Sequence, residues 1–155
     1  MAKSLLGKFL VRKIGEKEIA LQINEVELYE GLEDLASHGR KRTPRSEVMY
    51  GEGGHIYAYL TYGMHEMLNI VVDEKDHPAA VLIRGAGNIV GPGRLTKYLQ
   101  INRDLNTLPL SKKYGLWIED RGIVIDEKKI IATPRIGIDY SGPIWSKKKL
   151  RFLLK

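Results

Sequence analysis

Apolar and polar positions alternate with a period of two along EIALQINEVELYE, at residues 18–30. Ile19, Leu21 and Ile23 fall on one face of this segment, a pattern typical of a half-buried strand. The preceding SLLGKFLVRKI predicts a short helix that runs into a first strand, with a turn at Glu16 and Lys17. The chain therefore opens with two strands joined by a tight connection.

The apolar face of the second strand continues into polar residues. Glu25, Glu27 and Tyr29 have the same parity as Ile23. A carboxylate on the inward face of a strand must be paired or functional, because burying an isolated charge is costly. We therefore expect Glu27 and Tyr29 to lie toward the end of a buried or pocket-lining face.

A β-hairpin is predicted by YAYLTYGMHEMLNIVV at residues 57–72, with its turn at Tyr62 and Gly63. Tyr57 and Tyr59 share one face by the period of two, whereas Tyr62 lies at the tip, facing water. Turns prefer Asn, Asp or Gly. A large aromatic residue at this tip therefore suggests a function.

The rest of the chain reads as short elements separated by turns. LEDLASHG, after Gly31, predicts a short helix ended by Gly39. AAVLIRGAG predicts a strand, GRLTKYLQI a helix that begins near Gly91 and Pro92, and NTLPLSKKYG a long loop, and short apolar runs follow. With no repeat and no linker, residues 1–155 predict a single α+β domain, a curved and largely antiparallel sheet with surrounding helices and a protruding β-hairpin.

Composition excludes several classes of site. The 155 residues include no cysteine, so disulfides, thiolate zinc sites and a cysteine nucleophile are absent, and an intracellular setting is favoured. The four histidines are irregularly spaced, and phosphate-loop and dinucleotide-binding motifs are missing, which predicts no metal and no cofactor. No apolar run approaches the ~20 residues of a membrane span. We expect a soluble cytosolic protein with no membrane partner and no signal peptide.

Positive charge favours a polyanionic partner. Lys and Arg total 25 against 19 Asp and Glu, and they cluster in GRKRTPR at 39–45 and SKKKLR at 146–151. A lysine-rich solvated surface is the ordinary alternative. The residues expected to contact a nucleic-acid backbone are Arg40, Lys41, Arg42, Arg45, Lys147 and Lys148.

Seven residues remain as candidate chemistry. Arg84 ends the apolar strand AAVLIR and is a candidate partner for Glu27. The ordinary alternative is a buried ion pair between them, with the tyrosines in the core and Asn69 satisfying a buried backbone group. The set is Glu27, Tyr29, His38, Tyr57, Tyr59, Asn69 and Arg84.

Taken in order, these residues resemble the alkyladenine DNA glycosylase family, the 3-methyladenine DNA glycosylases of the mammalian type. The similarity runs over nearly the whole chain, and its most specific part is VELYEGLEDLASH. The other matching segments are RTPR at 42–45, IYAYLTYGMHEMLNI, GPGRL at 91–95 and PRIGI at 134–138. His65 and Glu66 depart from the aromatic residues typical after Tyr-Gly-Met, and the basic loop after His38 is compact, so the substrate range stays open.

The resemblance implies a hairpin that enters the DNA minor groove and assigns a role to each candidate. Glu27 matches the general base that activates water, with Arg84 beside it. Asn69 matches the side chain that disfavours the 2-amino group of guanine, and Tyr62 matches the residue that intercalates into the gap in the duplex. Tyr29, His38 and Tyr59, together with Tyr57, match the pocket for the extruded base.

The expected function is that of a monofunctional purine DNA glycosylase without AP lyase activity. Its partner would be double-stranded DNA containing 3-methyladenine, 7-methylguanine or hypoxanthine, bound by a monomer in the cytoplasm, on the nucleoid of a prokaryote, or in a eukaryotic nucleus. Two alternatives stay open: a protein that binds damaged DNA without cleaving it, and a generic basic nucleic-acid-binding module with a buried Glu–Arg pair.

Overall fold

The computed structural model describes all 155 residues, which form one antiparallel sheet of nine strands with few helices. The strands are β1 Phe9–Ile14, β2 Lys17–Glu30, β3 Ile56–Thr61, β4 His65–Val71, β5 Ala79–Ala86, β6 Ile89–Val90, β7 Leu116–Glu119, β8 Ile130–Thr133 and β9 Arg151–Leu154. The α-helices are α1 Pro92–Tyr98 and α2 Gly142–Trp145, and seven 3₁₀ turns lie between the elements. No helix combines the length and apolar character needed to cross a membrane.

The sheet curls because β2 is shared between its two halves. Strands follow the order β3-β4-β5-β2-β1-β7, with β6 on β5, β9 on β2 and β8 on β9. The first part of β2 pairs with β1, and its last part lies between β5 and β9. The result is a curled antiparallel half-barrel, which confirms the predicted α+β class and curved sheet.

The main core lies under this sheet, where 18 buried apolar residues form one cluster. Leu95 of α1 and Leu99, which follows the helix directly, are fully buried in it. Arg12 of β1 donates from its guanidinium to the carbonyls of Leu99 and Gln100, so it satisfies acceptors left open at the end of α1. Pro92, in the first turn, lacks an N–H that this position would leave unpaired.

A bulge in β2 corrects the predicted alternation. Ile23 pairs with Ala86 and Glu25 with Gly85, so Asn24 is an extra residue in β2. Beyond the bulge, the core face is taken by Val26 and Leu28 instead of by the residues with the parity of Ile23. The expectation that one face runs unbroken from Ile23 to Glu27 was therefore wrong, although Glu27 and Tyr29 do line a pocket, as predicted.

Gly85 permits this bulge because the two strands approach closely there. A Cβ atom at Gly85 would lie 2.7 Å from Asn24 Oδ1 and 3.2 Å from Glu25 Cβ. On β5 the compensating extra residue is Arg84, which lies between Gly85 and Ile83, the pairing partners of Glu25 and Val26. The register shift between β2 and β5 therefore sets the positions of two charged candidates, Glu27 and Arg84.

The helix predicted after Gly31 does not form. Residues 31–37 are turns, followed by a 3₁₀ turn at His38–Arg40. The carboxylate of Asp34 accepts hydrogen bonds from the N–H groups of Glu30 and Ala36, which offers the backbone an alternative to helical bonds. The turn predicted at Glu16 and Lys17 is also displaced, because β2 already begins at Lys17.

The hairpin tip adopts a strained turn. The N–H of Met64 donates to the Thr61 carbonyl, and φ is 51° at Tyr62 and 65° at Gly63. Positive φ at both central residues is the pattern of type I′ turns, which favour Asn-Gly. Tyr62 nevertheless occupies the first position, with 87% of its surface exposed. Its conformation is therefore unfavourable, and burial does not offset the strain.

We expect Tyr62→Asn to raise the free energy of unfolding by about 1 kcal/mol, because Asn tolerates the left-handed region better than Tyr. Urea denaturation would measure the change. As a control at the adjacent residue, Gly63→Ala should lower the stability, since φ there is also positive. A lower stability of Tyr62→Asn would mean that the phenol packs on the hairpin.

Candidate active site

One cleft of about 570 Å³ brings the predicted site residues together. It lies between the end of β2, the β3–β4 hairpin and the loop after β8. All seven residues of the candidate set line it, and so does Tyr62. Pairing of Tyr57 with Asn69 and of Glu27 with Leu82 fixes their positions across the sheet. The candidate set is therefore one site.

Glu27 is completely buried, and its carboxylate is held by directed donors. Tyr29 Oη donates to Oε2 at 2.7 Å, and the backbone N–H of Ile136 donates to Oε1 at 2.8 Å. Arg84 Nη1 lies 3.7 Å from the same Oε1. Three separate segments of the chain thus stabilise one carboxylate.

Arg84 binds Glu25 more closely than it binds Glu27. Its Nε donates to Glu25 Oε1 at 3.0 Å, and Arg151 Nε donates to the same oxygen at 2.7 Å. Glu25 is buried, so Arg84 is oriented by a neighbour rather than by Glu27 alone. The predicted Glu27–Arg84 partnership exists only as the longer of two contacts, with Glu25 as the main partner.

Tyr29 contacts both the carboxylate of Glu27 and the guanidinium of Arg135. Burial, followed by the nearby charge of Glu27 and the hydrogen bond to it, raises the pKa of Tyr29 far above its ordinary value. The phenol therefore stays protonated and acts as a donor. The guanidinium of Arg135 lies 4.6 Å from the centre of the Tyr29 ring.

The opposite wall is aromatic. His38 Nδ1 lies 2.8 Å from Tyr57 Oη, and the rings of His38 and Tyr59 meet edge to face with centroids 4.7 Å apart. Burial, assisted by the charge of Arg45, lowers the pKa of His38 to about 4. Burial also raises the pKa of Tyr57 and of Tyr59. All three side chains are uncharged at neutral pH.

Asn69 is buried within this wall, on β4. Its Nδ2 donates to the Tyr57 carbonyl at 3.2 Å. The alternative considered from the sequence, in which Asn69 satisfies a backbone group, therefore holds in part. The same hydrogen bond fixes the orientation of an amide that lines the cleft.

The basic residues of the first cluster, at 39–45, differ in whether their charge is paired within the protein. Arg40 and Lys41 are exposed. Arg42 instead pairs with Glu47 at 2.7 Å and with Asp76 at 3.3 Å, so its charge is offset within the protein. Arg42 is therefore less suited to binding phosphate than its neighbours.

The remaining basic candidates lie at two further places. Arg45 lines the cleft, with its guanidinium 5.0 Å from the centre of the Tyr59 ring. Lys147 and Lys148 are exposed, and Lys148 Nζ lies 3.6 Å from the Trp145 ring centre. Arg45 thus belongs to the cleft as well as to the basic cluster.

Sequence reasoning gave no role to the loop after β8. Arg135 forms a bidentate pair with Asp34, Ile136 donates to Glu27, and Tyr140 lies at the rim with its Oη 3.4 Å from the Ala36 carbonyl. The matching PRIGI segment was the available signal, but it does not say which residue it contacts. No group of three or more His, Asp or Glu side chains is arranged to hold a metal ion.

Comparison of the sequence with known proteins indicates the family of this chain. The profile of the family described as Methylpurine-DNA glycosylase (MPG) matches residues 1–90 and 87–155. A protein of Borreliella afzelii (strain PKo) is 40% identical, covering 100% of this chain and 89% of its own length. Proteins of Methanocella arvoryzae (40% identical, covering 92% and 80%) and Bdellovibrio bacteriovorus (39%, covering 100% and 88%) are also similar.

Each of these three relatives carries a name that assigns it provisionally as a 3-methyladenine DNA glycosylase. They come from bacteria and an archaeon. The similarity therefore supports the predicted family and does not support the narrower mammalian type.

The depressed pKa of His38 predicts a pH dependence of stability. Below about pH 6.5 the unfolded chain binds a proton that the folded state takes up only near pH 4. Stability is therefore fully present above about pH 6.5 and decreases toward about pH 4. Urea midpoints across this window should fall less in His38→Gln than in the parent, whereas His77→Gln, at an exposed site, should follow the parent. Equal losses in the parent and His38→Gln would contradict a neutral, buried His38.

Proposed function

The chain belongs to the methylpurine-DNA glycosylase family and is a DNA glycosylase for alkylated bases, and from this premise we propose that it excises damaged purines with a water activated by Glu27. The substrates are 3-methyladenine, 7-methylguanine and hypoxanthine in double-stranded DNA. The observation that carries the proposal is the completely buried Glu27 carboxylate, held by Tyr29, Ile136 and Arg84 in a cleft with aromatic walls.

The target base must leave the duplex, because its glycosidic bond cannot be reached within the stack. Extrusion costs a few kcal/mol, and less where a lesion has weakened the pair. A cleft of about 570 Å³ is within the usual range for a small-molecule site and accommodates one purine.

The walls recognise an alkylated purine through its charge. An N3- or N7-alkylated purine is cationic, and a cation over an aromatic face gains about 0.5–2 kcal/mol. Tyr29, Tyr57 and Tyr59 supply aromatic rings to the cleft, while His38 is neutral and so does not repel the base. To Asn69, which lines the cleft, we assign the role of disfavouring the 2-amino group of guanine.

The chemistry follows from the same charge. The carbon–nitrogen bond between sugar and purine breaks, its electron pair leaves with the base, and positive charge builds on the sugar. The oxygen of water then bonds to the anomeric carbon while Glu27 accepts the proton, and its negative charge stabilises the cationic sugar. Hypoxanthine is neutral and needs protonation as well. The sequence of steps requires no metal or cofactor.

The surface around the cleft would hold the DNA. Tyr62 projects from the hairpin tip and is shaped to fill the gap that the extruded base leaves. The exposed Arg40, Lys41, Lys147 and Lys148 would contact phosphates. We further propose that residues 1–155 act as one domain and one monomer on chromosomal DNA, on the nucleoid in the cytoplasm of a prokaryote or in the nucleus of a eukaryote.

Glu27→Gln should abolish base release while lesion binding stays within about tenfold of the parent, because the amide keeps the shape and loses the base. Single-turnover release from a 7-methylguanine duplex, followed by mass spectrometry, measures the first, and fluorescence anisotropy the second. Glu18→Gln, on the exposed start of β2, is the matched control. Retained release by Glu27→Gln would refute the role, and absence of release by the parent would favour a non-cleaving lesion-binding protein.

Tyr62→Ala should slow excision from duplex DNA by about tenfold and from single-stranded DNA much less, since base stacking on an aromatic side chain is worth about 1–3 kcal/mol. Tyr98→Ala removes another exposed tyrosine, outside the cleft, as a control. Equal losses on both DNA forms, with lower thermal stability, would show that Tyr62 only shapes the hairpin.

Borohydride should trap no covalent complex between the protein and lesion DNA, because attack by water forms no Schiff base with the sugar. Denaturing gel electrophoresis after reduction measures the adduct, with a lyase-active glycosylase as the positive control. A trapped adduct would mean that a lysine, and not a Glu27-activated water, attacks the sugar.

A further inference from the structure

Asp34 and Arg135 form a completely buried ion pair beside the cleft. Arg135 Nη1 lies 2.6 Å from Asp34 Oδ2, and Nη2 lies 2.9 Å from Oδ1. Buried pairs contribute little to stability, because desolvation offsets most of their attraction. Arg135 Nε is moreover buried without a hydrogen-bond partner. Stability alone therefore does not explain the pair.

Both groups that donate hydrogen bonds to Glu27 are connected to Arg135, one by contact and one as the next residue in the chain. Arg135 stacks on the ring of Tyr29, which donates to Oε2. Its Nη1 also donates to the Leu28 carbonyl at 2.8 Å, which ties the loop to β2. The next residue, Ile136, supplies the N–H that donates to Oε1.

The loop that carries Ile136 is joined to β2 by side-chain and backbone hydrogen bonds outside the sheet pairing. Residues 134–138 belong to no helix or strand, and their side of the cleft is joined to β2 through the Arg135 contacts and the Ile136 hydrogen bond. Asp34, in turn, is fixed by the N–H groups of Glu30 and Ala36. The turn at Asp34 therefore holds the Arg135–Ile136 part of the loop against β2, next to Glu27.

We propose that Asp34 and Arg135 are positioning residues for excision, which set both oxygens of Glu27 through Tyr29 and Ile136. The inference rests on the proposed role of Glu27. Neither residue lines the cleft. Because a misplacement of about 1 Å in a catalytic group reduces rates by up to roughly a hundredfold, loosening the pair should slow the chemical step more than binding.

The test compares Arg135→Lys with Arg12→Lys. Arg12 is another guanidinium that joins distant segments, by donating to three backbone carbonyls, but it lies away from the cleft. Single-turnover release from a 7-methylguanine duplex gives the rate, anisotropy gives Kd, and circular dichroism gives the folded fraction. We expect Arg135→Lys to be roughly tenfold to a hundredfold slower with little change in Kd, and Arg12→Lys to keep the parental rate.

Other results would overturn the inference. Parental rates in both variants, or a lower rate accompanied by a matching rise in Kd in both, would leave Asp34 and Arg135 with a structural role only. The proposed function would still stand if the parent releases base and Glu27→Gln does not. A parent without base release would remove both.

A second variant provides the test if Arg135→Lys does not fold. The double variant Asp34→Asn/Arg135→Met removes both buried charges, which is often neutral for stability, while keeping an unbranched side chain against Tyr29. We expect it to fold and bind lesion DNA with a slow chemical step. Release at the parental rate would overturn the inference.

Discussion

The burial of one carboxylate is the constraint on which the site depends. Glu27 has no exposed surface, and a buried charge without partners is strongly unfavourable. No single cation neutralises it, since Arg84 is bound mainly to Glu25. Its solvation is instead replaced by donors from β2, β5 and the loop after β8. Those three segments must converge for Glu27 to be accommodated, and the cleft is the space that their convergence leaves.

The bulge at Asn24 makes that convergence compatible with a core. On a regular strand, one face would have to serve both the core and the cleft. The extra residue exchanges the faces, so that Val26 packs into the core while Glu27 and Tyr29 face the cleft. Both sides of β2 are thereby used over a few residues, which is why a charged side chain lies so close to the apolar core without entering it.

Period-two patterning was sufficient to predict the features that depend on local sequence. The hairpin, its exposed Tyr62 and the shared face of Tyr57 and Tyr59 follow from alternation and from one turn, and the structure places them as expected. The family resemblance added the roles of Glu27, His38 and the other candidates in excision, and these roles are still predictions.

The features that could not be predicted depend on contacts distant in sequence. The pair of Asp34 with Arg135 joins residues 101 positions apart, and the bulge depends on how β5 approaches β2. The predicted helix after Gly31 failed for a related reason, because the side chain of Asp34 binds the backbone N–H of Ala36, which a helix would have used. Neither hydrophobic periodicity nor helix propensity indicates that a side chain will compete with the helix for a backbone N–H group.

Strand scission after alkali is the most direct measurement of the central claim. The parent protein would be incubated with a duplex that carries a single 7-methylguanine or deoxyinosine, and then treated with alkali or left untreated. Hydrolysis by a water that Glu27 activates predicts scission at the lesion only after alkali, because the product is an intact strand with an abasic site. Binding of the lesion duplex without scission after alkali would contradict the account.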